Sequence, residues 1–218
     1  TQSTWGRRMS TSRRLQSEDL PIYDDDNEGL MKVSLSNGRE DLEPSMAMKD
    51  RGAASRLRYK KGDYVDVPSF PYLMKILQKQ GDSQVLFADI VMKFTGSGKA
   101  KRRLLLITDL AINVIDPESG VLKRRVVIAT VEKILMSELR DNFFVIIVPR
   151  EFDVLMASTR KTEIVSTIVE ATKSSFDYEL DVVFSNSFEY HAAVNLVKEV
   201  RFEDIEGGVR TVISKQKT

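Results

Sequence analysis

Cysteine is absent from these 218 residues, and histidine occurs once, as His191. The first absence removes disulfides, thiolate zinc sites and a cysteine nucleophile; the second removes any site that needs two imidazoles. His191 itself, in "FEYHAAV", reads as a surface or edge-strand residue. No apolar run approaches the ~18 residues needed to span a bilayer, and no signal peptide is visible. An intracellular chain is therefore expected, one that meets a membrane only from its surface. An excess of one charge is lacking too: 33 Lys and Arg stand against 32 Asp and Glu, for a net charge of +1. Any pull on a polyanion must then come from local clusters, and sequence-specific nucleic-acid binding is not expected. Apolar residues at 42% are enough for a real core.

Residues 1–60 read differently from the rest. They carry "RRMSTSRR" and "DDDNE" with almost no periodic apolar pattern, a composition that buries too little surface to offset its ordering entropy. They are expected to form an extended tail or linker, ordered on a partner if at all, ahead of a domain over 61–218. "RRMS" matches a basophilic kinase site at Ser10, a short and common match. The first residue, Thr1, is consistent with a start inside a longer natural chain.

From Val67 the chain becomes patterned. "VPSFPYLMKILQKQGDS" predicts a short helix, with Pro71 at its first position, Tyr72, Leu73, Ile76 and Leu77 on one face and Gly81 as its stop. About seven short strands are expected from Gln84 to Ser158. "TRKTEIVSTIVEATKSSF" predicts a second helix with Thr159 as its N-cap and Ile164, Val165, Ile168, Val169 and Thr172 inward. More strands run from there to the end. Short strands with a helix late in the series predict an α+β, mostly β fold, a curved antiparallel sheet capped by that helix.

Within the strands, "KFTGSGKAKRRLLLIT" (Lys93 to Thr108) has the look of a nucleotide-binding loop but fails its requirements. Lys99 is followed by Ala100, not by a hydroxyl that can hold magnesium, and the position six residues earlier is Lys93, not glycine. The residues after the glycines, "RRLLLITDLAINVID", alternate like a strand, where a phosphate loop must open a helix. The stretch reads as a β-hairpin with a basic tip. Lys93, Lys99, Lys101, Arg102 and Arg103 fall within eleven residues, and Lys123, Arg124 and Arg125 form a second basic knot one turn later. Their side chains are expected to converge from adjoining strands, with glycines letting backbone approach an anion and arginine forking onto phosphate oxygens. Each basic side chain near an anionic membrane contributes about 1 kcal/mol of attraction. No catalytic constellation assembles elsewhere, since acidic residues fall in turns and on exposed strand positions. No cofactor or metal is expected, and the chain is not expected to be an enzyme.

The blocks "QVLFADIVMKF…GSGKAKRRLLLITDLAINVID", "LKRRVVIATVEKILMSELRDNFFVIIV", "STRKTEIVSTIVEA", "LDVVFSNSFEYH" and "GGVRTVISK" resemble the tail homology 1 domain of class I myosins, from about Val67 to Lys215. The resemblance implies a pleckstrin-homology-like fold, a bent antiparallel barrel capped by a C-terminal helix, with extra strands after it. It implies that the hairpin between the first two strands binds phosphoinositide headgroups and other anionic phospholipids, linking membrane to cytoskeleton. Lys93 and Arg102 occupy the positions that carry that role in the family, with Lys99 and Lys101 in the turn between. The related pattern of a basic residue, any residue, then arginine is met one position later, by Lys101 and Arg103. Residues 1–60 show no basic amphipathic helix like the neck that precedes this domain in a myosin, and no proline-rich or SH3 segment is expected after Thr218. The chain is then expected to be a tail fragment or a separate protein carrying the same domain, the missing neck favouring the second. The alternative reading is an adaptor built into a cytoskeletal or ciliary assembly. There residues 1–60 lie along a protein partner, burying Trp5, Leu30 and Met31, and the basic hairpin takes an acidic protein surface.

Overall fold

The computed structural model describes residues 61–216. Pro71 opens helix α1 (Pro71–Gln80), its fixed φ suiting a position whose N–H would be unpaired in any case. Leu73, Ile76 and Leu77 are buried on one face of it, and Gly81 caps its end. Seven strands come next: β1 (Val85–Phe94), β2 (Ala100–Thr108), β3 (Ala111–Ile115), β4 (Leu122–Val127), β5 (Lys133–Met136), β6 (Phe143–Ile147) and β7 (Val154–Ala157). A single 3-10 turn, Ile128–Thr130, separates β4 from β5. Helix α2 (Lys161–Phe176) is succeeded by β8 (Asp181–Phe184), β9 (Ser187–Ala193), β10 (Leu196–Ile205) and β11 (Gly208–Lys215). The protein is α+β and mostly β.

The first eight strands form one sheet in the order β4-β3-β2-β1-β7-β6-β5-β8. Strand β1 is the hinge, pairing along its length with β2 and through Met92 and Lys93 with β7. The sheet curls so far that side chains from β1 to β7 meet in one cluster. Phe87, Leu105, Ile112, Val126, Ile134, Phe144 and Met156 belong to it, and Ile164, Val165, Ile168 and Ala171 of α2 close it. This is the bent, helix-capped antiparallel barrel that the resemblance implied. One strand departs from that pattern. β8 pairs with β5 in parallel, because α2 supplies the crossover such a pairing needs.

The cap of α2 also differs from expectation. Its N-cap is Arg160, and no side chain caps it. The hydroxyl of Ser158 accepts the Arg160 N–H at 3.1 Å instead, so Thr159 does not serve. No helix among the described residues is long and apolar enough to cross a membrane.

Two further layers lie outside the barrel. Helix α1 covers the outer face of β1 to β3, packing on Ala88, Leu104, Leu106 and Ile115. Strands β9 to β11 form a second sheet in the order β11-β10-β9. Its Phe188, Tyr190, Val200 and Phe202 pack on Leu135, Val145 and Leu155, the outer face of β5 to β7. His191 is exposed on β9, an edge strand, as the sequence implied.

Candidate functional site

Strand direction decides what meets at the ends of the barrel. β1 and β3 run the same way, each antiparallel to β2, and β7 runs opposite to β1. The β1–β2, β3–β4 and β6–β7 turns therefore all lie at one end, and the 3-10 turn that α2 packs against lies at the other. The three turns rim that end of the barrel, its mouth.

Pairing register then sorts the basic residues by face. Lys93 sits opposite Lys101 and Val91 opposite Arg103, so these four share a face. Leu105 pairs with Val114, and Val114 with Arg124, which puts Arg124 on that face too. Val91, Leu105 and Val114 are core residues, so this is the inner face of the barrel. Lys93, Lys101, Arg103 and Arg124 thus line the mouth from within. Lys93 is 8% exposed, Arg103 7% and Arg124 6%.

The expected convergence holds for these four and not for the rest. Arg102 lies opposite Met92 on the outer face and is exposed. Lys99 is exposed at the tip, where Gly98 takes φ +90 and its N–H donates to Thr95 O at 2.9 Å. Lys101 and Arg103 thus share the inner face with Lys93, and Arg102 does not. Gly96 does not open backbone to an anion as expected. A Cβ placed there would lie 3.5 Å from Ala192 O and 3.7 Å from Ala193 Cβ, so the second sheet fills that side.

The cations of the second basic knot have structural partners. Arg125 points outward and donates from both terminal nitrogens to Asp82, each at 2.7 Å, and to Asn113 Oδ1 at 3.0 Å. The Asp82 side chain is fully buried, so this pair locks the end of α1 to β4. Lys123 lies 4.0 Å from Asp116. Arg124 reaches across the unpaired seam between β4 and the β6–β7 turn, donating to Glu151 Oε2 at 3.1 Å and to Phe152 O. Carboxylates such as Asp82, Asp109 and Asp153 are likewise fasteners. Asp109, for example, accepts the N–H groups of Ser83 and Gln84 at 3.1 and 3.0 Å.

Like charge and burial act together inside the mouth. Burial is the main cause that pushes the Lys93 ammonium down to about 7, and the charges of Arg124, Arg103 and Lys101 add to it. Arg103 donates to Arg102 O at 2.9 Å and lies 4.0 Å from Asp116, while its buried Nε has no acceptor. Asp116 stands on the rim. Burial, the largest single influence on it, pushes its pKa up, but the N–H groups of Glu118 and Ser119 and the charges of Arg103 and Lys123 together hold it below the usual value. Two to four positive groups with inward-pointing donors can chelate a multiply charged oxyanion such as a phosphate. Among the described residues no group of three acidic or histidine side chains is placed to hold a metal ion. Ser10 and the expected tail lie outside the described residues, as do Trp5, Leu30 and Met31 of the adaptor reading.

The described residues thus form a curled, helix-capped sheet with a basic mouth. Residues 54–218 match the family described as unconventional myosin tail, actin- and lipid-binding, and the chain belongs to that family. It is 30% identical over 152 residues to the myosin ID heavy chain of Dictyostelium discoideum, covering 64% of this chain and 13% of that one. With the myosin IB heavy chain of the same organism it is 29% identical over 174 residues, covering 77% of this chain and 16% of the relative. The matches thus span a small part of those heavy chains. Among solved structures, the hSac2 domain from human phosphoinositide phosphatase Sac2 aligns over 52% of this chain and 87% of its own. Identity there is 12% and the TM-score 0.38, a likeness from which no shared function follows.

Proposed function

We propose that this domain attaches to anionic membranes by taking the phosphates of a phosphoinositide headgroup into the barrel mouth. Lys93, Lys101, Arg103 and Arg124 are the ligands, and the bound domain ties the membrane to the actin cytoskeleton. The observation that carries the reading is the shared inward face of these four side chains beneath three turns. Arg103 is the principal anchor, since its buried Nε has no acceptor among the described residues and guanidinium forks onto phosphate oxygens. Arg102 and Lys99, outside the mouth, add long-range attraction only.

The test is cosedimentation with phosphatidylcholine vesicles containing phosphatidylserine, with and without phosphatidylinositol bisphosphate, beside calorimetry with soluble inositol trisphosphate. Arg103→Gln is expected to weaken the phosphoinositide-dependent part about tenfold or more, the loss of a charged hydrogen bond. Arg102→Gln should cost about fivefold on any anionic vesicle, fade with salt, and leave the soluble headgroup alone. Equal effects of the two substitutions would sink the assignment of the mouth. Melting temperatures of both variants separate lost binding from lost fold.

A further inference from the structure

Apart from the mouth group, one more cation is almost fully buried among the described residues: Lys198, which no sequence pattern singles out. It lies on the inward face of β10 with Val200 and Phe202 and is 5% exposed. Its ammonium has no hydrogen bond or ion pair among the described residues. Its partner across β11 is Lys215, a like charge placed directly opposite, which destabilises a sheet. Burial, then the Lys215 charge, lowers its pKa. The stem of Lys198 is buried while its ammonium, which has no anionic partner among the described residues, faces another cation, and an anion at that place would relieve the like-charge pair.

The place is informative. A Cβ on Gly98 would lie 3.7 Å from Lys198 Nζ, so the ammonium sits against the tip of the β1–β2 turn. It approaches from the second sheet, which packs on the barrel's outer face, whereas Lys93 and Arg103 point inward. The β9–β10 turn is pressed against the same tip: a Cβ on Gly96 would lie 3.6 Å from Leu196 Cδ2. Asp153 fixes that end of the sheet, accepting the His191 N–H at 2.7 Å while its own N–H donates to His191 O at 2.9 Å. Val194, in the β9–β10 turn, is 71% exposed, the most exposed large apolar side chain among the described residues. A cation without a partner and a bare apolar side chain thus stand together beside the basic hairpin.

We infer that the β9–β10 turn is a second membrane contact, in which Lys198 binds the phosphate of a second lipid on the outer side of the hairpin while Val194 enters the bilayer interface. The inference rests on the membrane reading of the mouth. A membrane, and not an acidic protein, is the occupant because Val194 continues the tip that the mouth already presents to lipid. The hairpin is then held between two phosphates, one inside the barrel and one outside it.

Vesicle binding and soluble inositol trisphosphate binding separate the two sites. Lys198→Met, which keeps the apolar stem, is expected to weaken binding to phosphatidylserine and phosphoinositide vesicles about fivefold with a shallower salt dependence. It should leave soluble headgroup affinity unchanged and melt no lower than the parent protein, and Lys198→Arg should restore vesicle binding. In a Trp5→Phe background, emission from a Val194→Trp variant should shift to the blue on vesicles, and Val194→Asp should weaken binding with an undiminished salt slope. Unchanged vesicle binding by Lys198→Met together with an unshifted emission overturns this inference, and leaves the mouth standing if Arg103→Gln still weakens phosphoinositide binding. If Arg103→Gln also binds normally, both readings fall. Equal loss of soluble and vesicle binding in Lys198→Met, or a large fall in its melting temperature, also overturns the second contact, by making Lys198 part of the mouth or of the core.

Discussion

Lys93 provides the most quantitative prediction. Its side chain is 8% exposed and its pKa falls from 10.5 to about 7, through burial first and then through Arg124, Arg103 and Lys101. In the unfolded chain the group keeps its ordinary value, so between pH 7 and 10.5 the unfolded state binds more protons than the folded one. Stability then rises with pH across that window. The contribution is fully present above the unfolded pKa and is lost as pH falls to the folded one. The whole drop corresponds to roughly 5 kcal/mol, changing by about 1.4 kcal/mol per pH unit. Lys93→Met is therefore expected to stabilise the protein by several kcal/mol at about pH 6, with the gain shrinking steadily toward about pH 10. The assay is urea unfolding of both proteins across that range, read as the difference between them so that other titrations cancel. A difference that does not vary with pH would refute the reasoning.

The same group links binding to protons. A phosphate in the mouth favours the charged lysine, so its pKa rises in the complex. At about pH 7.5 roughly three-quarters of the Lys93 groups are neutral in the free protein, so binding should draw in up to ~0.75 proton. Calorimetry in buffers of different ionisation enthalpy measures that uptake directly. Headgroup affinity should fall as pH rises above about 7. No uptake in the parent protein, or the same uptake in Lys93→Met, would remove Lys93 from the site.

Other substitutions test the scaffold. Asp82→Ala leaves Arg125 without its doubly bonded, fully buried partner and should cost about 3–5 kcal/mol of unfolding free energy, read by urea titration. Gly62→Ala should cost at least ~2 kcal/mol, because φ is +96 and the new Cβ would come 2.4 Å from Leu86 O; a neutral melting temperature would contradict that backbone geometry. Phe202→Ala removes a ring 5.6 Å from Phe188 and 6.0 Å from Phe143 and should cost ~3–5 kcal/mol. Because it loosens the second sheet at its contact with the barrel, it should also speed hydrogen exchange in β9 to β11 before β1 to β4.

The strands, both helices and the hairpin were legible because each rests on a local signal: a proline at a first helical turn, a glycine at φ +90, runs of β-branched residues. The partners of Arg125 and Arg124 were not. Asp82 is 43 residues from Arg125 and Glu151 27 residues from Arg124, and only the sheet order brings them together. Lys198 gave no signal because its meaning depends on Gly98, a hundred residues away in a different sheet.

The sequence leaves Arg102 and Arg103 undivided between the two faces of β2 for a physical reason. In a strand with one wet face, alternation of apolar and polar residues tells which side chains point inward. "LLLI" after Arg103 does not alternate, because β2 is buried on both sides from Arg103 to Thr108. Leu105 and Ile107 face the barrel core, and Leu104 and Leu106 lie under α1. With both faces apolar the parity of the strand vanishes from the sequence, and three consecutive cations cannot be divided between inside and outside. What restores it is the pairing of Val91 with Arg103, which hands the parity of β1 to β2. Even β1 marks its inner face weakly, since Val91 and Lys93 on it are a core residue and a buried cation side by side. A helix packed on the outer face of a hairpin thus conceals, in the sequence, which of its cations line the barrel mouth. Substituting Arg102 and Arg103 separately, with soluble headgroup binding as the readout, recovers that parity.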